Sequence, residues 1–452
     1  VNFHEQLILN KWLWSKFNPN RLEGMKQQLD HPQFEGIEHE GDNAGQTKFF
    51  SVICNTLFNK QVVDIDVLRR YDLNIVKHWQ KITEKRNEIE GHVLNLKYFQ
   101  YLSLLFTELY LDQYFNHQAD MLNELNVELE QYNHDQKSDA EQFQQYLPED
   151  LNKIGYWNAT GSGKTLLMHV NILQYLDYFQ HQNAGSTYPD QIILLTPNEG
   201  LSEQHLQELT DSGFQATLFD KQKSRNSLYR DEIQIIDMNK LSDTDGDKTV
   251  ATMSLEGRNL VLIDEGHRGT SSSAGAWMER RDILTKDGFS FEYSATFGQA
   301  VSKADNVYKR FEDAKKQKAK MLYGVAINKL TEEQKKNIQL DELEQQKYRR
   351  EALREVYAKS ILFDYSYKYF YADGYGKEVN ILNMKEYHED DERNLYLTAC
   401  LLSFYQQQYL FKKNQTKLAK FNIEKPLWVF VGNKVNDDDS DILAIVKFLA
   451  DF

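Results

Sequence analysis

An α/β fold built on a parallel sheet with helices on its faces is predicted by three observations. Between residues 154 and 296, short β-rich apolar runs alternate with helical patterns. Polar, glycine-rich turns follow the ends of those runs. One such turn, "NATGSGKT", leads directly into an apolar-periodic helix. In a sheet of this kind ligands bind beyond the carboxyl ends of the strands. Chemistry is therefore expected at "NATGSGKT", "TPNEG", "DEGHRG" and "SATFG".

Residues 1–93 read as a mixed, mostly helical N-terminal region that closes on "LNIVKHWQKITEKRNEIEG" and carries no recognisable chemistry. Residues 94–114 are apolar on most sides and predict a largely buried helix. A polar, acidic insertion at about residues 116–150 predicts an exposed helical excursion with a loop at "NHDQKSD". "IGYW" supplies a strand, "NATGSGK" a loop and "KTLLMHVNILQYL" a helix. The strands "QIILLTP", "IQIIDM", "NLVLIDE" and "FSFEYSAT" follow, with a helix over residues 201–211. A charged helical stretch occupies residues 301–360, then a short β-like run and an aromatic helix. "EKPLWVFVGNKV" predicts one more strand and "DSDILAIVKFLADF" one more helix. The expected organisation is an N-terminal region (1–93), an α/β domain carrying the glycine-rich turns (94–300), a helical bridge (301–420) and the start of a second domain (421–452).

At 452 residues and 41% hydrophobic, the chain suits two or three domains. Its two cysteines, Cys54 and Cys400, stand apart with no Cys or His at metal spacing, which supports neither a disulfide framework nor a zinc site. No apolar run approaches the roughly 18 residues of a membrane span. The opening "VNFHEQLILNKWLWSKF" lacks the pattern of a signal peptide, so a cytoplasmic protein is expected. The formal net charge of -15 argues against a protein that coats nucleic acid over its whole surface, but not against a local groove. Basic clusters at residues 308–320, 332–337 and 411–420 read equally as solvated helix faces or phosphate tracks.

"NATGSGKT" places backbone N–H groups and a helix N-terminus around a phosphate. Gly161 and Gly163 permit close approach, flanked by Thr160 and Ser162; Lys164 would reach the β/γ phosphates of ATP and the Thr165 hydroxyl would hold Mg²⁺. Asn158 stands where the strict pattern has glycine. Four matched positions would recur by chance at on the order of one site in ten thousand. "NLVLIDEGH" puts Asp264 and Glu265 at the end of an apolar strand, where uncompensated charges would cost several kcal/mol. Magnesium resolves that cost: Asp264 would bind it directly or through water, and Glu265 would orient and deprotonate the water attacking the γ-phosphate.

In this order, "NATGSGKT", "LLTPNEGLSEQH", "LIDEGH" and "SATF" resemble motifs I, Ia, II and III of superfamily 2 helicases and translocases, with "DEGH" as a DExH box. "ATGSGKT", "LKYFQ" and "SILFDYSYKYFYADGYGKEVNI" are similar to the restriction-subunit branch, as in type III and type I restriction motors. The likeness spans residues 94–297, extends loosely over 360–381 and leaves the first ninety residues outside it. It implies a RecA-like P-loop NTPase lobe, with residues 421–452 opening a second. Lys164, Thr165, Asp264 and Glu265 match the ATP and magnesium residues, and Gln100 sits where the family places an adenine-reading glutamine. His267, Ser294 and Thr296 resemble coupling residues. Thr196, Pro197 and Asn198 lie on the strand path, where their hydroxyl, backbone and amide groups could bind phosphates without reading bases. Arg268 reads as a sensor or as a surface salt bridge.

The implied function is an ATP-dependent translocase or helicase of the restriction or phage-defence type, acting on DNA before RNA and joined to further subunits through the N-terminal or inserted helices. A DExH RNA helicase and a nucleotide-gated protein-binding scaffold are the alternatives. No candidate for motifs V and VI is found, and a chain without them would hydrolyse ATP slowly.

Overall fold

The computed structural model of the protein describes residues 3–57, 63–136, 142–182, 188–220, 232–242, 250–265, 281–297, 305–376, 390–418, 423, 425–430 and 441–451. The chain divides into two compact units, Val1–Lys377 and Glu378–Phe452.

The first unit is organised by a seven-stranded parallel sheet: β1 (Lys153–Asn158), β2 (Ile192–Thr196), β3 (Ala216–Leu218), β4 (Ile233–Asp237), β5 (Leu260–Asp264), β6 (Phe289–Ser294) and β7 (Ile361–Tyr365). Their order across the sheet is β3-β4-β2-β5-β6-β1-β7. A parallel sheet covered on both faces needs near-continuous apolar strands. β2 and β5 meet that demand, with every residue buried. Register follows from the same residues: Leu194 lies beside Ile235 and Leu262, and Leu262 beside Phe291. Tyr156 of β1 stacks on Tyr293 of β6 at 4.9 Å between ring centroids. This is a RecA-like α/β arrangement, and its five strands anticipated between residues 154 and 296 fall where the apolar runs stand.

Helices α1 (Ile8–Trp14), α2 (Ile65–Glu90), α3 (Tyr98–Asn116), α4 (Gln118–His134), α5 (Lys164–Gln182), α6 (Glu199–Asp211), α7 (Asp305–Tyr323), α8 (Glu342–Tyr357) and α9 (Tyr367–Ala372) complete the main elements of this unit. α3 is buried on nearly every side, as its composition predicts. It carries Glu108, whose carboxylate accepts hydrogen bonds from Gln174 (2.8 Å) and Tyr178 (2.8 Å) on α5. Burial pushes that carboxyl up to about 7 against those bonds.

Three features differ from the expectation. The boundary expected between residues 93 and 94 has no counterpart in the packing. Both sides belong to the first unit, and the N-terminal segment clasps the sheet edge. There Ile8 N–H donates to Ala358 (2.9 Å), Asn10 donates to the Leu362 carbonyl (2.8 Å), and His4 pairs with Asp364 while stacking on Trp157. The β-like run in the expected bridge is β7, the edge strand beside β1. The insertion is not simply exposed either: Met121, Leu125, Leu129 and Tyr132 form a buried stripe along α4, which packs on α1. Scattered apolar residues at helical spacing were outweighed in the sequence by the acidic ones between them.

In the second unit, helix α10 (Asp390–Leu418) and helix α11 (Asp441–Asp451) are described. The strand expected at 424–435 is not formed over its described part: residues 425–430 are irregular, with Trp428 packed on Phe404 and Phe430. A strand needs a partner ladder, and no strand is present among the described residues of this unit. The rest of that expected strand lies outside the described residues.

Leu262 is fully buried at the centre of the sheet on the strand that carries the Asp-Glu pair. Leu262→Ala should lower unfolding stability by about 2–5 kcal/mol, the usual cost of a buried Leu→Ala cavity. Denaturant titration checks this, and a loss below about 1 kcal/mol would contradict the packing described.

Candidate active site

The carboxyl ends of β1, β2, β5 and β6 converge on one region. β1 ends at Asn158, and the following loop reaches α5 through Gly161 and Gly163, with φ of 87° and 85°. Both angles lie in the left-handed region that glycine alone enters without penalty. At Gly163 a Cβ would also strike the side-chain amide of Gln100. Gln100 donates to the Ser162 carbonyl (3.0 Å) and accepts from Lys97 N–H (2.9 Å), so α3 holds the loop from behind. Thr160 and Gly161 face solvent, Thr165 is half-buried, and Ser162 is buried with no hydrogen-bond partner for its hydroxyl. Because α5 starts at Lys164, its N-terminal N–H groups and positive dipole end open toward the loop.

Lys164 is the electrostatic centre. Its ammonium lies 2.9 Å from Asp264 Oδ1 and 2.5 Å from Glu265 Oε1. Asp264 and Glu265 are 6% and 8% exposed, so both negative charges are largely withdrawn from water. Burial alone would raise the Asp264 carboxyl. A hydrogen bond from His205 and the Lys164 charge outweigh burial and hold it down at about 2. Glu265 turns the strand end back: its N–H still bonds to Tyr293 (2.9 Å), extending the ladder, but its own φ is 51°. A non-glycine residue in that region is sustained by its surroundings, and here the turn brings its carboxylate onto Lys164. Ser294, closing β6, directs its hydroxyl at Glu265 Oε2 (3.4 Å) and accepts from Thr296 N–H (3.1 Å).

The residues anticipated for phosphate and metal chemistry are thus brought together, and Gln100 and Ser294 join them. His267 and Arg268 lie outside the described residues. The strand-path reading needs one correction. The Thr196 hydroxyl is fully buried and bonded to Ser202 Oγ (2.6 Å), which takes it away from any external phosphate. Asn198 is exposed but caps α6, its side chain accepting from Leu201 N–H (3.0 Å). The Pro197 carbonyl receives a long contact from Asn239 (3.5 Å).

Two neighbours escaped the sequence reading. His205, inside "SEQH", donates to Asp264 Oδ2 (2.9 Å). Its spacing on α6 with buried Ser202 and Leu209 marks an inward face. Phe370 of α9 has its ring tip 3.5 Å from where a Cβ on Gly161 would stand. No local signal in "YKYFYA" pairs it with a loop two hundred residues earlier. At the opposite end of the sheet a depression of about 470 Å³ is lined by Lys153, Arg281, Glu292 and Lys359. Three of its cations are matched there: Arg281 to Glu292 (3.1 Å), Lys153 to Asp282 (2.9 Å) and Lys359 to Asp150 (2.6 Å). That balance makes it a structural ion-pair network.

Gly163→Ala should destabilise the protein by about 1–2 kcal/mol from backbone strain alone. Part of any further loss comes from the Gln100 amide, so adding Gln100→Ala should return some stability. A double-mutant cycle in melting experiments that is additive within about 0.3 kcal/mol would reject that contact.

Residues 113–299 match the family described as type III restriction enzyme, res subunit. No curated protein matches the chain. The matched segment holds β1 through β6 and every residue of the Lys164–Asp264–Glu265 cluster, and the family is one of helicase-type ATPases of the DEAD-like superfamily 2 group. Residues 113–299 are therefore similar to the res-subunit family of type III restriction enzymes and lie within a longer folded unit.

Proposed function

We propose that the protein is an ATP-driven nucleic-acid motor of the restriction or phage-defence type, with DNA as its track. The observation that carries the proposal is the Lys164 ammonium held between two buried carboxylates at the mouth of a left-handed glycine loop. A structural salt bridge requires neither that loop nor a helix N-terminus beside it. The residues fit ATP with a divalent cation. Two left-handed glycines carry the loop into the N-terminus of α5, the buried Ser162 hydroxyl lacks a protein partner, and two adjacent buried carboxylates await more positive charge than one lysine brings.

In this reading Lys164 leaves the carboxylates to meet the β/γ phosphates, while loop N–H groups bind their oxygens. Thr165 and Asp264 would hold Mg²⁺, which when bound neutralises phosphate charge. Glu265, relieved of Lys164, accepts the proton of the attacking water. Gln100, which donates to the Ser162 carbonyl, would read adenine. Ser294 relays the state of Glu265 to Thr296, and the exposed Asn198, following buried Pro197, offers its amide to a strand.

ATP turnover measured with single-stranded DNA, duplex DNA and RNA tests the reading. Strong stimulation by DNA supports it; stimulation by RNA alone makes the protein an RNA helicase, and none by any polymer makes it a nucleotide-gated scaffold. Lys164→Ala should remove measurable turnover and also lower the melting temperature, because it leaves two buried carboxylates without their cation; unchanged turnover would reject the site. Glu265→Gln should retain ATP binding while turnover falls by roughly two orders of magnitude or more, the scale of lost general-base work. A collapse of ATP affinity would instead make Glu265 a binding residue. Ser294→Ala with Thr296→Ala should reduce polymer-stimulated turnover and movement far more than basal turnover. Equal losses in all three, together with a lower melting temperature, would reduce both residues to local stabilisers.

A further inference from the structure

Asp264 divides its two oxygens between different partners. Oδ1 faces Lys164 at 2.9 Å, and Oδ2 accepts from His205 Nε2 at 2.9 Å. His205 is 4% exposed, and an ionised carboxylate can only accept, so Nε2 carries the hydrogen. The helix bearing His205 is itself fixed: Asn198 caps it and Ser202 is bonded to Thr196. Behind it stands His169 of α5, fully buried, with Nδ1 on Ser212 (2.8 Å). His205 Nδ1 is buried with no hydrogen-bond partner, so among its ring contacts the bond to Asp264 is the directional one.

We infer that His205 is a positioning residue for the metal site: by holding Oδ2 it fixes the rotation of the Asp264 carboxylate and reserves Oδ1 for the divalent cation or its water. The inference rests on the ATP-and-magnesium reading of this site. The Lys164 ammonium on Oδ1 marks the oxygen that a cation reaches. A ligating carboxylate left without its outer hydrogen bond turns freely between orientations. Loss of such a partner typically costs about 10–100-fold in metal affinity or activity.

The test compares His205→Leu, which fills the space without a donor, with His205→Asn, whose amide is too short, and His205→Gln, whose amide nitrogen reaches as far as Nε2. For each, magnesium is titrated into binding of a fluorescent non-hydrolysable ATP analogue, and separately into ATP turnover. Leu and Asn should raise the half-saturating magnesium about 10–100-fold in both assays, with analogue binding in EDTA unchanged and turnover largely restored at saturating magnesium. Gln should return the requirement toward wild type. If the Leu variant fails to fold, the Asn variant supplies the same comparison. A midpoint within about 2-fold of wild type, a turnover loss that persists at saturating magnesium with no midpoint shift, or a Gln variant as impaired as Asn overturns the inference. Wild-type protein that binds the analogue without regard to magnesium rejects the underlying reading instead, before any variant is compared.

Discussion

Two carboxylates at the end of an apolar strand are held inside the protein by one ammonium, and much of the local architecture follows from that arrangement. Desolvating Asp264 and Glu265 without a cation would be prohibitive. Lys164 resolves the conflict only because it begins α5, at the far end of a loop that two left-handed glycines turn through a tight angle. β1 and β5 do not touch each other in the sheet; β6 lies between them. The ion pairs therefore bridge a strand, and Ser294, closing that intervening strand, sits against the same carboxylate.

The site is supported from outside the strands as well. α3 reaches the loop through Gln100, and α6 reaches Asp264 through His205. α9 lays Phe370 against Gly161, while its neighbour Asp373 receives hydrogen bonds from Tyr98 and Tyr365, both at 2.6 Å. Each support comes from a different part of the chain, and each ends on the loop or on a carboxylate. At the opposite end of the sheet Arg281, Lys153 and Lys359 are each paired with a carboxylate, so those cations are held in local ion pairs.

How much of this could be read from residue order depends on the range of the interaction. The β1–loop–α5 unit and the β5 end are local patterns, so glycine spacing and apolar runs sufficed to place Lys164, Asp264 and Glu265 in one site. Gln100 was placed by resemblance, and its contact with the Ser162 carbonyl depends on a side chain meeting a loop 62 positions away. His205 looked like one polar residue among others because its partner lies on a strand 59 positions away. Thr196 was read as an outward hydroxyl since strand alternation says nothing of a helix cap folding back over it. β7 carried a recognisable β pattern, but not its place beside β1, because the pairing of a parallel strand is set by tertiary contacts rather than by its own composition.

The clasp of the N-terminal segment on β7 has a consequence for what counts as a unit of this protein. The segment recognisable by family, residues 113–299, contains the reactive groups but neither β7 nor α1, and only the last turn of α3. Cut out alone, it would bare the open hydrogen-bonding edge of β1 and the apolar faces that α3 covers, and such an edge invites pairing with other copies. The family-matched segment and the compact folded unit thus have different boundaries: Lys164, Asp264 and Glu265 fall within fewer than two hundred consecutive residues, whereas the strand edge and apolar faces beside them are covered by chain that precedes and follows.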